Sequence, residues 1–405
     1  MSVSDRGFSA VRVGEHVWWV GAIDWALRDF HGYSTQRGST YNAYLVMGDC
    51  PVLIDTVKAP FRDEMLARVA SVVNPTDVKV IVSHHAEMDH SGCLPQVVDL
   101  IKPDKVYASQ MGVRNLHDEF HGLGEVIAVK DSETLKLGGL TFTFLETRML
   151  HWPDSMISYL REDELVFSQD GFGMHLATPK LFADENDPAV LLDEGRKYFA
   201  NILLPYSALV LKLLERIKSL GISIKAIAPD HGPVWRKDLG TLLGWYSKWA
   251  TQKPENRAVV AYDTMWQSTA TMARSIADGL RDGGADVAVM PMNCMTRSDV
   301  MTELLCAGAF LVGTPTINNT IFPTLADVLA YARGLKPKNL IGAAFGSYGW
   351  SGEACAQVEA TLREMGVEIA LPALRLKFVP DAVALSQCRE FGKAVAVKLK
   401  ERVGK

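Results

Sequence analysis

The sequence predicts an α/β protein of two domains, a sheet sandwich followed by an open, doubly wound parallel sheet. Three observations predict it. At 405 residues and 48% hydrophobic content the chain is too long for one ordinary core and apolar enough for two. Four apolar strands in the first half each run into a His or an Asp. Beyond residue 253, short apolar strands alternate with helical runs, the signature of a parallel sheet with crossover helices.

Composition narrows the function. A net charge of −5 and a pI near 6.1 provide no basic field for nucleic acid. The only basic run, Lys398-Leu399-Lys400-Glu401-Arg402, reads as a solvated helix face. The N-terminus lacks the apolar stretch of a signal peptide and no segment reads as a membrane span, so a cytoplasmic protein is expected. Cys50, Cys93, Cys294, Cys306, Cys355 and Cys388 form no Cys-x-x-Cys pair, which argues against a zinc ribbon, a thiolate iron site or a disulfide framework. All six are expected to be small buried hydrophobes.

In chain order, Val17-Trp18-Trp19-Val20, Tyr44-Leu45-Val46-Met47 and Val52-Leu53-Ile54-Asp55 read as a β-meander. Phe61 to Val73 carries helical spacing and is closed by Pro75. The run Val78-Lys79-Val80-Ile81-Val82 then reads as a buried strand, and the loop after it is His85-Ala86-Glu87-Met88-Asp89-His90. That loop holds four possible metal ligands. His85 and Glu87 at alternating positions can converge on one centre, while Asp89 and His90 point differently, which suits two neighbouring ions better than one. A polar turn in which Asp89 or Ser91 merely caps the next helix would account for one residue, not four.

The pattern repeats. Leu140-Thr141-Phe142-Thr143-Phe144-Leu145 leads to His151, Leu165-Val166-Phe167-Ser168 to Asp170, and Ala226-Ile227-Ala228-Pro229 to His231. Several strand ends on one edge of a sandwich can enclose two ions where a single loop cannot. Four imidazoles and three carboxylates suit a binuclear site with one bridging carboxylate, and that many oxygens favours iron or manganese over zinc, with iron the first choice.

The order His-x-Glu-x-Asp-His, Leu-His-Trp-Pro-Asp-Ser, Asp-x-Phe-Gly-x-His and Asp-His-Gly-Pro-x-Trp resembles the metallo-β-lactamase-like domain of the flavodiiron proteins. The resemblance implies an αββα sandwich in which His85, Glu87 and His151 hold one iron, Asp89, His90 and His231 hold the other, and Asp170 bridges. In hydrolases of that fold, histidine usually stands where this chain has Glu87. The resemblance also raises His31, in Phe-His-Gly-Tyr, and Tyr198, in Lys-Tyr-Phe-Ala-Asn, as hydrogen-bond donors to a bound gas; on spacing alone His31 is an ordinary loop histidine.

The polar stretch Gln252-Lys253-Pro254-Glu255-Asn256-Arg257 reads as a linker, dividing the chain into 1–252 and 253–405. Strands at Ala258–Tyr262, Val287–Met290, Phe310–Gly313, Leu340–Ala344 and Val367–Ile369 describe a five-stranded flavodoxin-like sheet. The turn after the first is rich in hydroxyls, with Thr264, Met265, Trp266, Ser268 and Thr269 opening a helix that can cradle a phosphate monoester. It lacks the Gly and Lys of a P-loop and a Gly-x-Gly-x-x-Gly, which leaves FMN as the natural ligand. Pro315, Thr316, Ile317, Asn318 and Asn319, and then Ser347, Tyr348, Gly349, Trp350 and Gly352, fall at later strand ends and suit the walls around a flat ring.

The expectation is a flavodiiron oxidoreductase in which FMN passes electrons to a diiron site that reduces O2 to water or NO to N2O. With no paired Cys-x-x-Cys there is no rubredoxin module, so an external donor is implied, rubredoxin or a deazaflavin. The resemblance further implies a head-to-tail homodimer or a dimer of such dimers. The alternative is a dizinc hydrolase with an accessory flavodoxin-like domain; Glu87 weighs against it.

Overall fold

The computed structural model describes residues 7–404. The chain divides into two compact units. The first takes the chain through His31, then Thr35–Tyr198 and Ala208–Ser247; the second takes Gly32–Ser34, Phe199–Ser207 and everything from Lys248 onward. The polar stretch expected to be a linker is tied down at its start. Gln252 is buried, donates to Ser207 Oγ at 3.0 Å and accepts from the Lys338 N–H at 2.8 Å.

The first unit is built on two sheets. One has seven strands in the order Val11–Arg12, Val17–Trp19, Tyr44–Val46, Val52–Ile54, Val80–Ser83, Lys105–Ser109 and Ile127–Val129. It begins antiparallel, as the meander requires, and turns parallel from Val52–Ile54 onward. The other runs Thr134–Leu137, Leu140–Glu146, Met156–Leu160, Leu165–Gln169 and Ala226–Pro229, and only its last pair is parallel.

Period-two alternation explains the layering. Val80 and Val82 face the core between the sheets with Phe142, Phe144, Phe167 and Ala228, while Ile81 faces the helices Arg62–Ala70, Leu94–Ile101 and Gln110–Glu119 through Met65, Leu94 and Leu116. A strand covered on both faces reads as a continuous apolar run, which is why Val80-Ile81-Val82 shows no polar alternation. On the second sheet, Arg216 of the helix Ser207–Leu220 donates to Glu146 O at 3.3 Å and to Asp131 at 2.7 Å.

Against expectation, the helical region Pro188–Leu220 is long and apolar enough in composition to cross a membrane. It is broken by a π turn at Phe199–Leu203 and a 3-10 turn at Leu204–Tyr206 into helices of 11 and 14 residues. Each is shorter than the roughly 20 residues a bilayer requires, and half of the apolar window is buried in protein.

The second unit is a parallel sheet in the order Asp286–Pro291, Glu255–Tyr262, Ala307–Gly313, Ile341–Tyr348, with Glu368–Ile369 and Leu374–Lys377 both paired to Ile341–Tyr348. The fifth position is thus filled by two short strands. This 2-1-3-4-5 order reverses direction between the first and third strands, where doubly wound folds open a crevice at the carboxyl ends. Not every cysteine is buried: Cys294 is exposed, because it lies on the loop after Asp286–Pro291, and Cys50 and Cys306 are half-buried.

Candidate metal centre and flavin cavity

The loop after Val80–Ser83 is only partly irregular. Met88–Ser91 forms one helical turn, so Asp89 and His90 project from a helix start while His85 and Glu87 come from extended backbone. That change of backbone sends the two pairs to different centres. His85, Glu87, His151 and Asp170 bring one donor atom each within 4.8 Å of one another, and so do Asp89, His90 and His231.

Asp170 belongs to both groups. Its Oδ2 lies 3.2 Å from His151 Nε2 and 3.6 Å from His85 Nε2, and its Oδ1 lies 3.3 Å from His90 Nε2 and 3.5 Å from His231 Nε2. Glu87 Oε2 is 3.2 Å from both His85 Nε2 and His151 Nε2, and Asp89 Oδ2 is 3.1 Å from His231 Nε2. All seven side chains that the sequence singled out for metal converge here.

All four imidazoles present Nε2 to the cluster. Behind two of them Nδ1 donates outward, from His85 to Asp154 at 3.2 Å and from His231 to Thr40 O at 2.6 Å; His90 Nδ1 stands 3.6 Å from Asp230. An imidazole anchored on one nitrogen with the other aimed inward is the usual state of a metal-binding histidine. The fit to cations is tested by groups that find no hydrogen bond. Both oxygens of Asp89 and both nitrogens of His90 are buried without one, although charged neighbours stand within 3.6 Å. One donor atom each of Asp89, His90 and His231 lies within 4.8 Å of the others, and buried polar atoms gathered without hydrogen bonds are an expensive arrangement unless a cation sits there.

Without a cation the cluster holds protons. Burial opposes the charged forms, but hydrogen bonds with Asp154 and Glu87 lift the His85 imidazole to about 9. Those with Asp170 and Glu87 lift His151 to about 10. Burial likewise opposes the carboxylates, yet His151 and His85 bring Glu87 down to about 2.

Several partners escaped the sequence. Asp154, buried, also accepts from the Ala86 N–H at 2.7 Å, which fixes the loop between His85 and Glu87. His84 is clamped between Asp55 at 2.6 Å and Ser158 at 2.9 Å. Gly232 follows His231 with φ +78°, and a Cβ there would stand 2.6 Å from Met174 Cγ and 2.7 Å from Met174 O. Only glycine fits. His175, from the same motif as Asp170, joins neither group; its Nδ1 meets Ser39 Oγ at 2.8 Å, and burial keeps it neutral. The sequence signal for Asp154 lay within the motif that supplied His151.

The two remaining candidates differ. His31, 77% exposed on its side chain, reaches Glu87 Oε1 with Nε2 at 3.4 Å. Tyr198 is fully buried, and its hydroxyl donates to Asp170 Oδ1 at 3.1 Å, so the phenol engages the shared carboxylate.

In the second unit a cavity of about 580 Å³ opens at the carboxyl ends of the strands. Its walls include Thr264, Met265, Trp266 and Ser268; Pro315, Thr316, Ile317, Asn318 and Asn319; and Ser347, Tyr348, Gly349 and Trp350. Thr269 and Gly352 do not line it: Thr269 is buried behind it, its hydroxyl 3.3 Å from Ser347 Oγ. Phe378 and Val379, which follow the strand Leu374–Lys377, were missed and do line it.

One end of the cavity also has unsatisfied donors. The helix Ser268–Asp282 begins after Gln267, which makes no side-chain cap, and Thr264 Oγ1 is buried without a partner. Free N–H groups at a helix start beside an unpaired hydroxyl fit a phosphate monoester, and the apolar remainder fits a flat ring.

Comparison with known proteins agrees with both halves. Residues 40–232 match the family model described as ODP family beta lactamase, and residues 260–392 match Flavodoxin. The chain is 41% identical to the nitric oxide reductase of Moorella thermoacetica, over 96% of this chain and 98% of that protein. It is also 41% identical to the rubredoxin-oxygen oxidoreductase of Megalodesulfovibrio gigas, over 95% and 96%. Among solved structures, the flavodiiron protein of Giardia intestinalis matches with a TM-score of 0.94 at 33% identity, covering 98% of each chain. Together with a cluster shared across one carboxylate and a cavity for a flavin phosphate, these likenesses establish that the chain belongs to the flavodiiron protein family.

Proposed function

We infer that this chain is an oxidoreductase that reduces O2 to water, NO to N2O, or both, with electrons entering through FMN. The observation that carries the reading is Asp170, whose two oxygens each face a separate group of imidazole and carboxylate donors. Glu87 in the first group sets three carboxylates beside four imidazoles, a donor set that favours iron over zinc.

His85, Glu87 and His151 would hold one iron and Asp89, His90 and His231 the other, with Asp170 bridging. Bound FMN and iron supply stepwise electron transfer to a small apolar gas. The protein orients the ligands, through Asp154 on His85 and Thr40 on His231, and gives water little access by burying most of the cluster. His31 stands on the exposed side of Glu87, where its imidazole can donate a hydrogen bond to charge developing on the gas. Thr264, Ser268 and the helix start after Gln267 would hold the phosphate of FMN, with Tyr348, Trp350 and the loop from Pro315 to Asn319 around the ring.

The donor is a separate rubredoxin, or a deazaflavin, and the protein works in the cytoplasm. The functional assembly is a head-to-tail homodimer, or a pair of such dimers, in which the FMN of one subunit serves the irons of the other. Trp266 and Trp350, 89% and 90% exposed beside the cavity, support this, since a partner would cover that apolar surface. Anaerobic stopped-flow tests the reading: protein carrying about two irons and one FMN per chain, once fully reduced, should be reoxidised by O2 or NO within its turnover time. Two zinc ions after iron-replete expression, with reduced flavin unreactive to both gases, would instead favour the hydrolase.

A further inference from the structure

Asp170 must present one oxygen to each metal group, which a freely rotating carboxylate would not do reliably. Two neighbours prevent rotation. Tyr198, the last residue of the helix Pro188–Tyr198, donates its hydroxyl to Oδ1 at 3.1 Å. Gln169 donates its carboxamide to Oδ2.

The second contact is unusual, because consecutive residues of a strand point to opposite faces and their side chains do not meet. Here the strand Leu165–Gln169 breaks register between Phe167 and Gln169, and Gln169 takes φ 53°, a left-handed conformation costly for a side chain of its kind. That local irregularity turns Gln169 onto its own neighbour. Gln169 is fully buried and Asp170 nearly so, so water does not compete for either oxygen.

We propose that Tyr198 and Gln169 are a matched pair of positioning residues that assign Oδ1 of Asp170 to the ion held by Asp89, His90 and His231, and Oδ2 to the ion held by His85, Glu87 and His151. The assignment rests on the diiron reading above. Neither residue binds metal; each fixes the direction of one oxygen. Loss of either donor therefore loosens one ion more than the other.

The test uses the full-length holoprotein with Tyr198→Phe and Gln169→Met, each titrated anaerobically with iron-57 against a competing chelator and read by Mössbauer spectroscopy. Tyr198→Phe should weaken one iron about tenfold and Gln169→Met the other by a similar factor, the range for outer partners of metal ligands. Each variant should also alter a different quadrupole doublet and the exchange coupling between the irons. If Gln169→Met does not fold, judged by circular dichroism of the metal-free chain, Tyr198→Phe decides alone, since it removes a single oxygen atom. Unchanged affinity and coupling in a folded variant, or both ions weakened equally, would overturn the assignment while two-iron uptake by the unsubstituted chain leaves the functional reading in place. An unsubstituted chain that takes up no pair of irons overturns both.

Discussion

The metal cluster and the flavin cavity bind charge in opposite ways. Around the cluster the donors are three carboxylates and four imidazoles, all buried except His151, and charge is met by charge. The cavity proposed for FMN has no Lys or Arg among its lining residues; hydroxyls, apolar rings and a helix start are what it offers a phosphate and a flat ring. A small ion without shape needs ligands fixed in advance by rigid strand ends, whereas a large flat ligand can be held by area and backbone dipoles. One site therefore should be brittle and sensitive to protons, the other tolerant and largely indifferent to them.

Asp170→Ala should give the largest effect: iron content falling from about two per chain to near zero while FMN occupancy stays full, read by metal analysis and flavin absorbance. Retention of one iron would break the contrast, because the two groups would then be independent.

The next effect is on pH. Protons occupy His85 and His151 up to about 9 and about 10, so an entering ion must displace them. Affinity should fall about tenfold per pH unit for each displaced proton as pH drops below those values, with proton release in unbuffered titrations. FMN affinity should stay nearly flat between pH 7 and 9, since the cavity lining carries no Asp, Glu, Lys, Arg or His. Flat metal affinity over that range would refute the proton-held cluster.

Thr264→Val removes the unpaired hydroxyl at the phosphate end. A hydrogen bond to a charged group contributes about 1.5–3 kcal/mol, so FMN should bind roughly tenfold to a hundredfold more weakly with iron unaffected. Equal affinity would move the phosphate elsewhere in the cavity.

His31→Ala should be the mildest. The side chain is mostly exposed, so iron content and flavin reduction should persist while turnover with O2 or NO drops several-fold. Loss of iron would show instead that His31 holds Glu87 in place.

Much of this contrast was legible in the sequence because strand ends gather chemistry whatever lies between them. Four apolar runs terminating in His or Asp located all seven residues of the cluster, and three hydroxyl- or aromatic-rich turns located most of the cavity. What escaped were partners chosen by three-dimensional neighbourhood. Asp154 serves His85 from 69 residues away, and Thr40 O serves His231 from 191, so no local spacing records either pairing. Phe378 and Val379 are hidden in the sequence because the fifth position of the sheet is split between Glu368–Ile369 and Leu374–Lys377, and the alternation Leu374-Arg375-Leu376-Lys377 is too short to announce a strand end. Gln169 was unreadable for a different reason. Alternation assigns it to the face away from Asp170, and only the left-handed backbone brings the two together.

Gly232 couples two loops that lie far apart in the sequence. Its missing side chain leaves room for Met174, whose N–H in turn binds His231 O at 3.2 Å, and Met174 lies four residues beyond Asp170. No replacement at 232 can be absorbed locally: it would push the segment that follows Asp170 as well as the loop that carries His231. The loop that carries His231 and the segment that follows Asp170 are therefore mechanically linked through one glycine, so a side chain at 232 should disturb both metal groups at once.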